Sequence, residues 1–382
     1  MDFSLSVEQQ RLRDEIVAFA RAELNSDTAE RDRAQTFPHD LWLKCGQLRL
    51  TGLFVPEEYG GRGLDPLSAV IVLDALGYGC DDAGLSFAIC AHLLACVVPI
   101  WKHGTEEQKR RYLPGLSDGS LIAANAMSEP GSGSDAFALV TRADTDGDGF
   151  RLNGTKIFAS NGPCADLFVA YAATDPAKGY YGGISAFMVP SDTPGVRTGR
   201  PFNKLGLRTS HMSEVVFENA WLPADAVLGG VGGGSSIFAQ SMDWERTCLG
   251  AVHVGAMQRL LEAAVAYART RKISGEAIGK FQGVSHPIAD MKVRLEAARL
   301  LLYRSASLLD RARDISMQAA ITKLFVSEAL VESAQAALRT FGAYGIVEGH
   351  EAERALRDAV SSTLYSGTSE IQRNIIGRWL GL

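Results

Sequence analysis

"GFRLNGTKIFAS" (residues 149–160) is a short β-prone run bounded by turn residues, and three more such runs follow it. They are "DLFVAYAAT" (166–174), "GISAFMVP" (183–190) and "SEVVFENAWLP" (213–223), separated by Gly, Pro, Asn and Asp. Such runs punctuated by turn formers predict strands, so residues 119–228 are expected to form an antiparallel barrel or sandwich. The pattern changes on either side. Residues 1–118 show helical periodicity interrupted by Gly and Pro, as in "PEEYGGRGLDP" (56–66). After the strands, "GGVGGGSSIF" (229–238) reads as a flexible hinge. Beyond it, Leu249, Val252, Ala256, Leu260, Ala264 and Ala268 follow three-four steps along one helix face. Ile288, Met291, Leu295, Ala298, Leu302 and Leu309 do the same, and a third stripe runs through "AAITKLFVSEALVESAQAALRTFG" (319–342). Residues 229–382 are therefore expected to form a helical bundle. The order is helices, strands, helices.

The bulk composition sets bounds on function. A chain of 382 residues, 46% hydrophobic and 21% charged, is longer than one compact core usually fills. Its net charge of −6 and the lack of any Lys/Arg block argue against nucleic-acid binding. The six cysteines lack paired spacing and the seven histidines lack ligand spacing, which predicts neither disulfides nor a metal site. The N-terminal "MDFSLSVEQQRLRDEIVAFARAEL" (1–24) is polar and amphipathic, unlike a signal or transit segment. "LSFAICAHLLACVVPIW" (85–101) is the most apolar stretch, but it contains His92 and Pro99 and reads as a buried helix rather than a membrane span. A cytoplasmic protein with no membrane contact is the expectation.

Two stretches carry local chemistry. In "ANAMSEPGSGSDAF" (124–137), Gly131 and Gly133 flank Ser132 and precede Ser134 and Asp135. Such a turn can offer backbone N–H groups and hydroxyls to a polar ring or a phosphate, although a plain surface loop has the same composition. "NGTKIFASNGPCAD" (153–166) sets Phe158 and Ser160 beside a turn, where an aromatic can cover a ring and a hydroxyl can bond its edge. An ordinary strand edge with a core Phe would read the same way.

In order along the chain, "MSEPGSGSD", "KIFASNGPCAD", "LGLRTS", "RTRKISGEAIGKFQ", "LRTFGAYGIVEG" and "YSGTSEIQR" resemble the acyl-CoA dehydrogenase family. The resemblance runs essentially the full chain. It implies an acyl-CoA dehydrogenase-like fold: an N-terminal α-helical domain (1–118), a middle β-barrel (119–228) and a C-terminal four-helix bundle (229–382). It also implies bound FAD and a homo-oligomer, dimer or tetramer. By the same resemblance Met127 and Ser128 contact the flavin ring, Phe158 takes a place where Trp is common, and Ser160 bonds the flavin. Arg271 and Gln282 match positions that reach the FAD of a neighbouring subunit, with Thr368 and Glu370 near its adenosine half. Arg339 stands where Gln is frequent and either pairs with a pyrophosphate oxygen or simply lies in solvent; Gly342 follows shortly after it as a further cofactor candidate. Ser274 replaces the usual Phe of "R-x-x-FG", and Ala343 replaces a frequent second Gly.

The largest departure concerns the base. The family reaction removes a proton next to a thioester carbonyl, which requires a positioned carboxylate. A carboxylate usually precedes Gly-Thr-Ser near the C-terminus; here that place holds Ser366, whose hydroxyl is far too weak a base. "SMDWERTCLGAVHVGAMQ" (241–258) offers the alternative: Asp243 as a helix cap, with Glu245 in the first turn. Isovaleryl-type members of the family carry their base at this position and a small residue before Gly-Thr. The resemblance therefore assigns Glu245 as catalytic base, with Arg246 orienting it or nearby loops. Ser134, Arg246 and His92 are the candidate substrate contacts. His92 and His253 could face the pocket, or each could be a satisfied core histidine.

Within the family, "SMDWERTCL", "ADLFVAYAAT", "VSHPIADMK", "LRTFG" and "SGTSEIQ" look closer to the L-prolyl carrier-protein dehydrogenases of natural-product biosynthesis, and "LSFAICAHLLAC" and "FNKLGLRTS" to the isovaleryl-type enzymes. The expected partners are an acyl or aminoacyl carrier protein, or acyl-CoA, with an electron-transfer flavoprotein or oxygen as electron acceptor. A flavin monooxygenase on the same scaffold is the alternative of another class.

Overall fold

The computed structural model describes residues 4–309, 311 and 314–382. The N-terminal region holds helices α1 (Val7–Glu23), α2 (Thr28–Ala34), α3 (His39–Gln47), α4 (Pro66–Gly79), α5 (Ala83–His92), α6 (Val98–His103) and α7 (Glu106–Asp118). Their starts are written in the sequence. Ser6 with Gln9 and Thr105 with Gln108 form capping boxes, and Asp65 caps α4 just before Pro66.

Helices α5 and α6 run on as one helix through a π-helical turn at Leu93–Val97. Proline explains the bulge. Pro99 has no N–H to give the Ala95 carbonyl four residues earlier, and Asn125 Nδ2 takes that carbonyl instead at 3.2 Å. Ala83–His103 is a helix long and apolar enough to cross a membrane, but 89% of its most apolar window is buried inside the protein.

The strands follow: β1 (Ala123–Ala126), β2 (Arg142–Asp146), β3 (Gly149–Ser160), β4 (Leu167–Ala173), β5 (Ile184–Pro190), β6 (Val196–Thr198), β7 (Met212–Pro223) and β8 (Val227–Leu228). They form one sheet in the order β6-β7-β3-β2-β4-β5-β8, with β1 beside β4. The sheet curls round a core of its own that includes Leu152, Phe168, Phe187 and Phe217. It is not wholly antiparallel: β1–β4 and β2–β4 are parallel pairs. All seven residues of β4 are buried. Phe168, Ala170 and Ala172 face the sheet's core, while Leu167, Val169 and Tyr171 face the helices. Burial on both faces is why this strand reads as a continuous apolar run.

Helices α8 (Gly234–Cys248), α9 (Gly250–Thr270), α10 (Gln282–Leu308), α11 (Ser316–Phe341), α12 (Glu351–Ser361) and α13 (Ser369–Trp379) complete the chain, with the short hairpin β9 (Lys272–Ile273) and β10 (Glu276–Ala277) between α9 and α10. The expected stripes are buried at Val252, Leu260, Ala264 and Ala268 of α9 and at Met291, Leu295, Ala298 and Leu302 of α10. The glycine run before α8 is a packed turn rather than a loose hinge. Gly229, Gly230 and Gly232 have positive φ, and a Cβ on Gly234 would lie 2.7 Å from the backbone of Ser185.

Candidate active site

Helix α8 begins at Gly234, so Asp243 and Glu245 lie in its C-terminal part. This corrects the expectation that Asp243 caps a helix with Glu245 in the first turn. Ile237, Ser241, Trp244, Glu245 and Cys248 fall on buried positions at helical spacing, and that packing sets the true start. Asp243 Oδ2 instead accepts from the Ser316 hydroxyl at 2.9 Å.

Glu245 is 8% exposed. Burial pushes its carboxyl above the usual range, opposed by a hydrogen bond from Ser366 and by the charges of Arg246 and Lys323. Its place near a helix C-terminus works in the same upward direction, because the macrodipole there disfavours a negative charge. The Ser366 hydroxyl donates to Glu245 Oε1. The residue expected from the sequence to be too weak a base is thus bonded to the candidate carboxylate, 121 residues earlier in the chain.

The Ser366 loop is fixed from three sides. Ser366 and Gly367 both have positive φ, at 55° and 85°, which turns their carbonyls toward the bundle. Arg246 Nε and Gln372 Nε2 each donate to the Ser366 carbonyl at 3.1 Å. Lys323 Nζ donates to the Gly367 carbonyl at 2.7 Å. Burial, with Arg246 nearby, pulls the Lys323 ammonium down to about 8. Thr368 caps α13 by accepting from the Ile371 N–H, and Glu370 follows in the first turn. Glu245, Leu249, His253, Lys323, Tyr365 and Ser366, among others, line a narrow cleft.

A second group of candidates gathers where β1 meets β3. The Ile157 N–H donates to the Ser128 carbonyl at 2.8 Å, joining Met127 and Ser128 to Phe158 and Ser160. Phe158 has φ 58° and is 59% exposed, with Phe202 at 5.9 Å. A left-handed backbone is costly for an aromatic residue and here holds a large ring out of the core. A Cβ on Gly131 or Gly133 would meet nothing within 4 Å, so the loop carrying exposed Ser134 is open. A flat aromatic cofactor fits this open edge with its exposed ring and nearby hydroxyls. Beneath it lies an ion pair that sequence reasoning missed. Lys156 Nζ donates to Glu129 Oε1 at 2.8 Å and to the Met127 carbonyl at 3.0 Å, with both side chains at most 1% exposed. Burial pushes the Glu129 carboxyl up, but Lys156 and the Val140 and Thr141 donors more than reverse this and hold it below the usual range.

Helix α8 and this edge share a wall. The π-turn packs against both α8 and β1, and Tyr171 of β4 meets Phe238 of α8 at 5.4 Å between ring centres. The remaining candidates lie elsewhere. Arg271 caps the far end of α9, about 30 Å along the helix from Gly250. Exposed Gln282 starts α10, and Arg339 and Gly342 end α11; Phe341 meets Tyr267 at 4.9 Å, which brings the α9 and α11 ends together. Ser274 takes φ 50° in the two-residue turn between β9 and β10, followed by Gly275 at 85°, so this position is fixed by turn geometry.

His92 is a correction. It is fully buried, Nε2 lies 2.9 Å from the Leu116 carbonyl, and Nδ1 accepts from the Ala123 N–H at 2.9 Å. Both nitrogens are committed to the backbone, leaving none for a substrate. Lys323 had a signal in the sequence: it sits on the buried face of α11 with Ala319, Ala320, Val326 and Leu330. Among the described residues no group of three or more His, Cys, Asp or Glu is arranged to hold a metal ion.

Family models of the acyl-CoA dehydrogenase N-terminal, middle and C-terminal domains match residues 6–120, 124–220 and 232–381. An L-prolyl-[peptidyl-carrier protein] dehydrogenase from Serratia sp. is 41% identical over 382 residues, covering 100% of this chain and 99% of the relative. The crystal structure of the prolyl acyl carrier protein oxidase AnaB is 43% identical with a TM-score of 0.97, covering 99% of this chain and all of that one. The structure of PigA with FAD and proline is 40% identical, also with a TM-score of 0.97, and covers both chains fully. With all three domain models matched in order and relatives alike along their whole length, the chain belongs to the acyl-CoA dehydrogenase family.

Proposed function

We propose that this protein is an FAD-dependent dehydrogenase that oxidises the α,β or ring bond of a prolyl-like aminoacyl thioester held on a carrier protein, with Glu245 as the base. The buried Glu245 carboxylate, bonded by Ser366, carries the reading. The carrier-protein substrate, the cofactor and a role in natural-product assembly are supported by likeness to AnaB, PigA and the Serratia relative. FAD, held by Met127, Ser128, Phe158 and Ser160, supplies the hydride acceptor. Arg271, Gln282, Arg339 and Gly342, at the distant end of the bundle, serve the FAD of a neighbouring subunit, so the working form is a homo-oligomer, taken as a tetramer. Thr368 and Glu370 lie toward the adenosine half of the cofactor, and Ser134 toward the substrate's thioester arm, whereas Arg246 is spent on the Ser366 carbonyl. Electrons leave to an electron-transfer flavoprotein or to oxygen, and the scattered free thiols fit a cytoplasmic setting. The domain limits at 118/119 and 228/229 follow the change from helices to strands and back.

Ser366 occupies Oε1 of Glu245, which leaves Oε2 to take the α-proton. The raised affinity of this carboxyl for a proton brings it nearer to the weakly acidic C–H it must deprotonate. Arg246, Lys323 and Gln372 act at one remove by fixing the Ser366 loop. The decisive experiment is anaerobic flavin reduction by prolyl and simple acyl groups, each presented on a carrier protein and on CoA. Bleaching by the prolyl carrier protein is the expected result; bleaching by isovaleryl-CoA alone would replace this substrate with a branched acyl-CoA. Ser366→Ala removes a bond that favours the ionised carboxylate. The pH profile of flavin reduction should then move to the alkaline side, with a lower rate on its acid limb and little change on its plateau.

A further inference from the structure

We propose that Tyr365 and His253 are positioning residues that fix the Ser366 hydroxyl against Glu245. The proposal rests on the dehydrogenase reading above and adds to it what aims the serine. Ser366 and Gly367 both take left-handed backbone, at φ 55° and 85°. For serine this conformation is costly and persists only where the surrounding structure holds it. On the C-terminal side Arg246, Gln372 and Lys323 bind the Ser366 and Gly367 carbonyls. On the N-terminal side the chain leaves α12 through turn bonds, of which that from the Tyr365 N–H to the Ser361 carbonyl is the longest at 3.3 Å, and Leu364 is exposed. The firm hold there is the Tyr365 side chain. Its hydroxyl shares a hydrogen bond with His253 Nε2 at 2.7 Å, and Phe87 of α5 packs on its ring, 4.7 Å between centres and tilted by 40°.

His253 gives that hold a rigid base. A Cβ on Gly77 of α4 would lie 2.1 Å from the Val252 carbonyl, and one on Gly255 would lie 2.1 Å from the Asp74 carbonyl. Backbone touches backbone on either side of His253, which locks this part of α9 onto α4. Burial first, and Lys323 second, hold His253 neutral, with its pKa lowered to about 3. A neutral imidazole and a phenol supply one acceptor and one donor, so the anchor adds no charge to the cleft it shares with Glu245. The titratable groups around Glu245 are Arg246 on its own helix, Lys323 of α11, Cys90 of α5, Cys96 of the π-turn, Tyr171 of β4 and Tyr365. Burial pushes both thiols and both phenols up, so they stay protonated where a carboxyl titrates.

The test reads the proton affinity of Glu245 in the FAD-loaded enzyme in two ways. One is the acid limb of flavin reduction by the best thioester of the panel above. The other is the pH at which each variant and its Glu245→Gln partner part in thermal melts, a comparison that subtracts Arg246 and Lys323. Ser366→Ala should move both readings to the alkaline side by about one pH unit, the usual worth of a hydrogen bond to a charged group. Tyr365→Phe and His253→Ala should each move them by about half a pH unit or more. His253→Gln, whose amide can still bond the phenol, should leave them near wild type. In the Ser366→Ala background Tyr365→Phe should add nothing, since it acts through that hydroxyl. Unmoved readings in both Tyr365→Phe and His253→Ala overturn the proposal, whatever the melting temperatures themselves do. A full further shift on top of Ser366→Ala overturns it too, because the pair would then act on Glu245 without the serine. If no thioester reduces the flavin, the dehydrogenase reading fails, and the melts alone carry or sink the positioning by the same comparisons.

Discussion

Replacing Glu245 with Gln should lower anaerobic flavin reduction by about 10²–10⁴-fold, the usual contribution of a positioned general base. Gln keeps the size of the side chain and can still accept from Ser366, so bound flavin and its spectrum should be unchanged. The same variant separates the two enzyme classes that share this scaffold. A monooxygenase, which needs no base at this carbon, would keep most of its turnover, and that outcome would remove Glu245 from the mechanism. Stability supplies an independent sign. The Glu245 carboxyl is raised in the folded protein, so its burial favours folding at low pH and costs stability as the pH rises through the folded-state value. Glu245→Gln is therefore expected to melt higher than wild type at alkaline pH, with the gap closing as the pH falls toward the ordinary carboxylate range. Thermal melts at several pH values check this.

The second large effect is on folding. Lys156→Met should destabilise the protein by about 3–5 kcal/mol, because it leaves the Glu129 carboxylate buried without its cation. Total stability of a folded domain is about 5–15 kcal/mol, so this is a severe lesion. Since the pair lies directly under Met127 and Ser128, the variant should also release flavin on gel filtration. Pairing it with Glu129→Gln should recover more than half of the lost stability, as a neutral amide can still accept from the Val140 and Thr141 N–H groups. The acid sensitivity follows from the same carboxyl. Glu129 is held below its ordinary range, so its contribution is present above that range and is lost as the pH falls through the folded value. A Lys156→Met melt equal to wild type would mean that the pair contributes nothing net.

How much was legible depends on the range of the interaction. The strand block was readable because each run is bounded by its own turn residues, and β4 is uniformly apolar for a local reason, burial on two faces. The bundle was readable from its stripes, which need only the 3.6-residue period. The start of α8 was misread because an Asp shortly before an apolar run resembles a cap, whereas Ile237, Ser241 and Trp244 extend the buried face back to Gly234. His92 could be read as a pocket residue because a ring nitrogen's partner, here the carbonyl of Leu116 or the N–H of Ala123, lies tens of residues away.

The sequence by itself determined the family, the order of helices, strands and helices, and the oddity that Ser366 stands where a carboxylate belongs, because ordered motifs, periodicities and residue identities are local. Only the tertiary structure decided that the Ser366 hydroxyl reaches Glu245, 121 residues earlier, that Lys156 and Glu129 are a buried pair, and that Tyr365 meets His253. Those facts arise from packing between elements distant in the chain, which fixes both the burial that shifts each charge and the few ångströms over which a hydrogen bond exists.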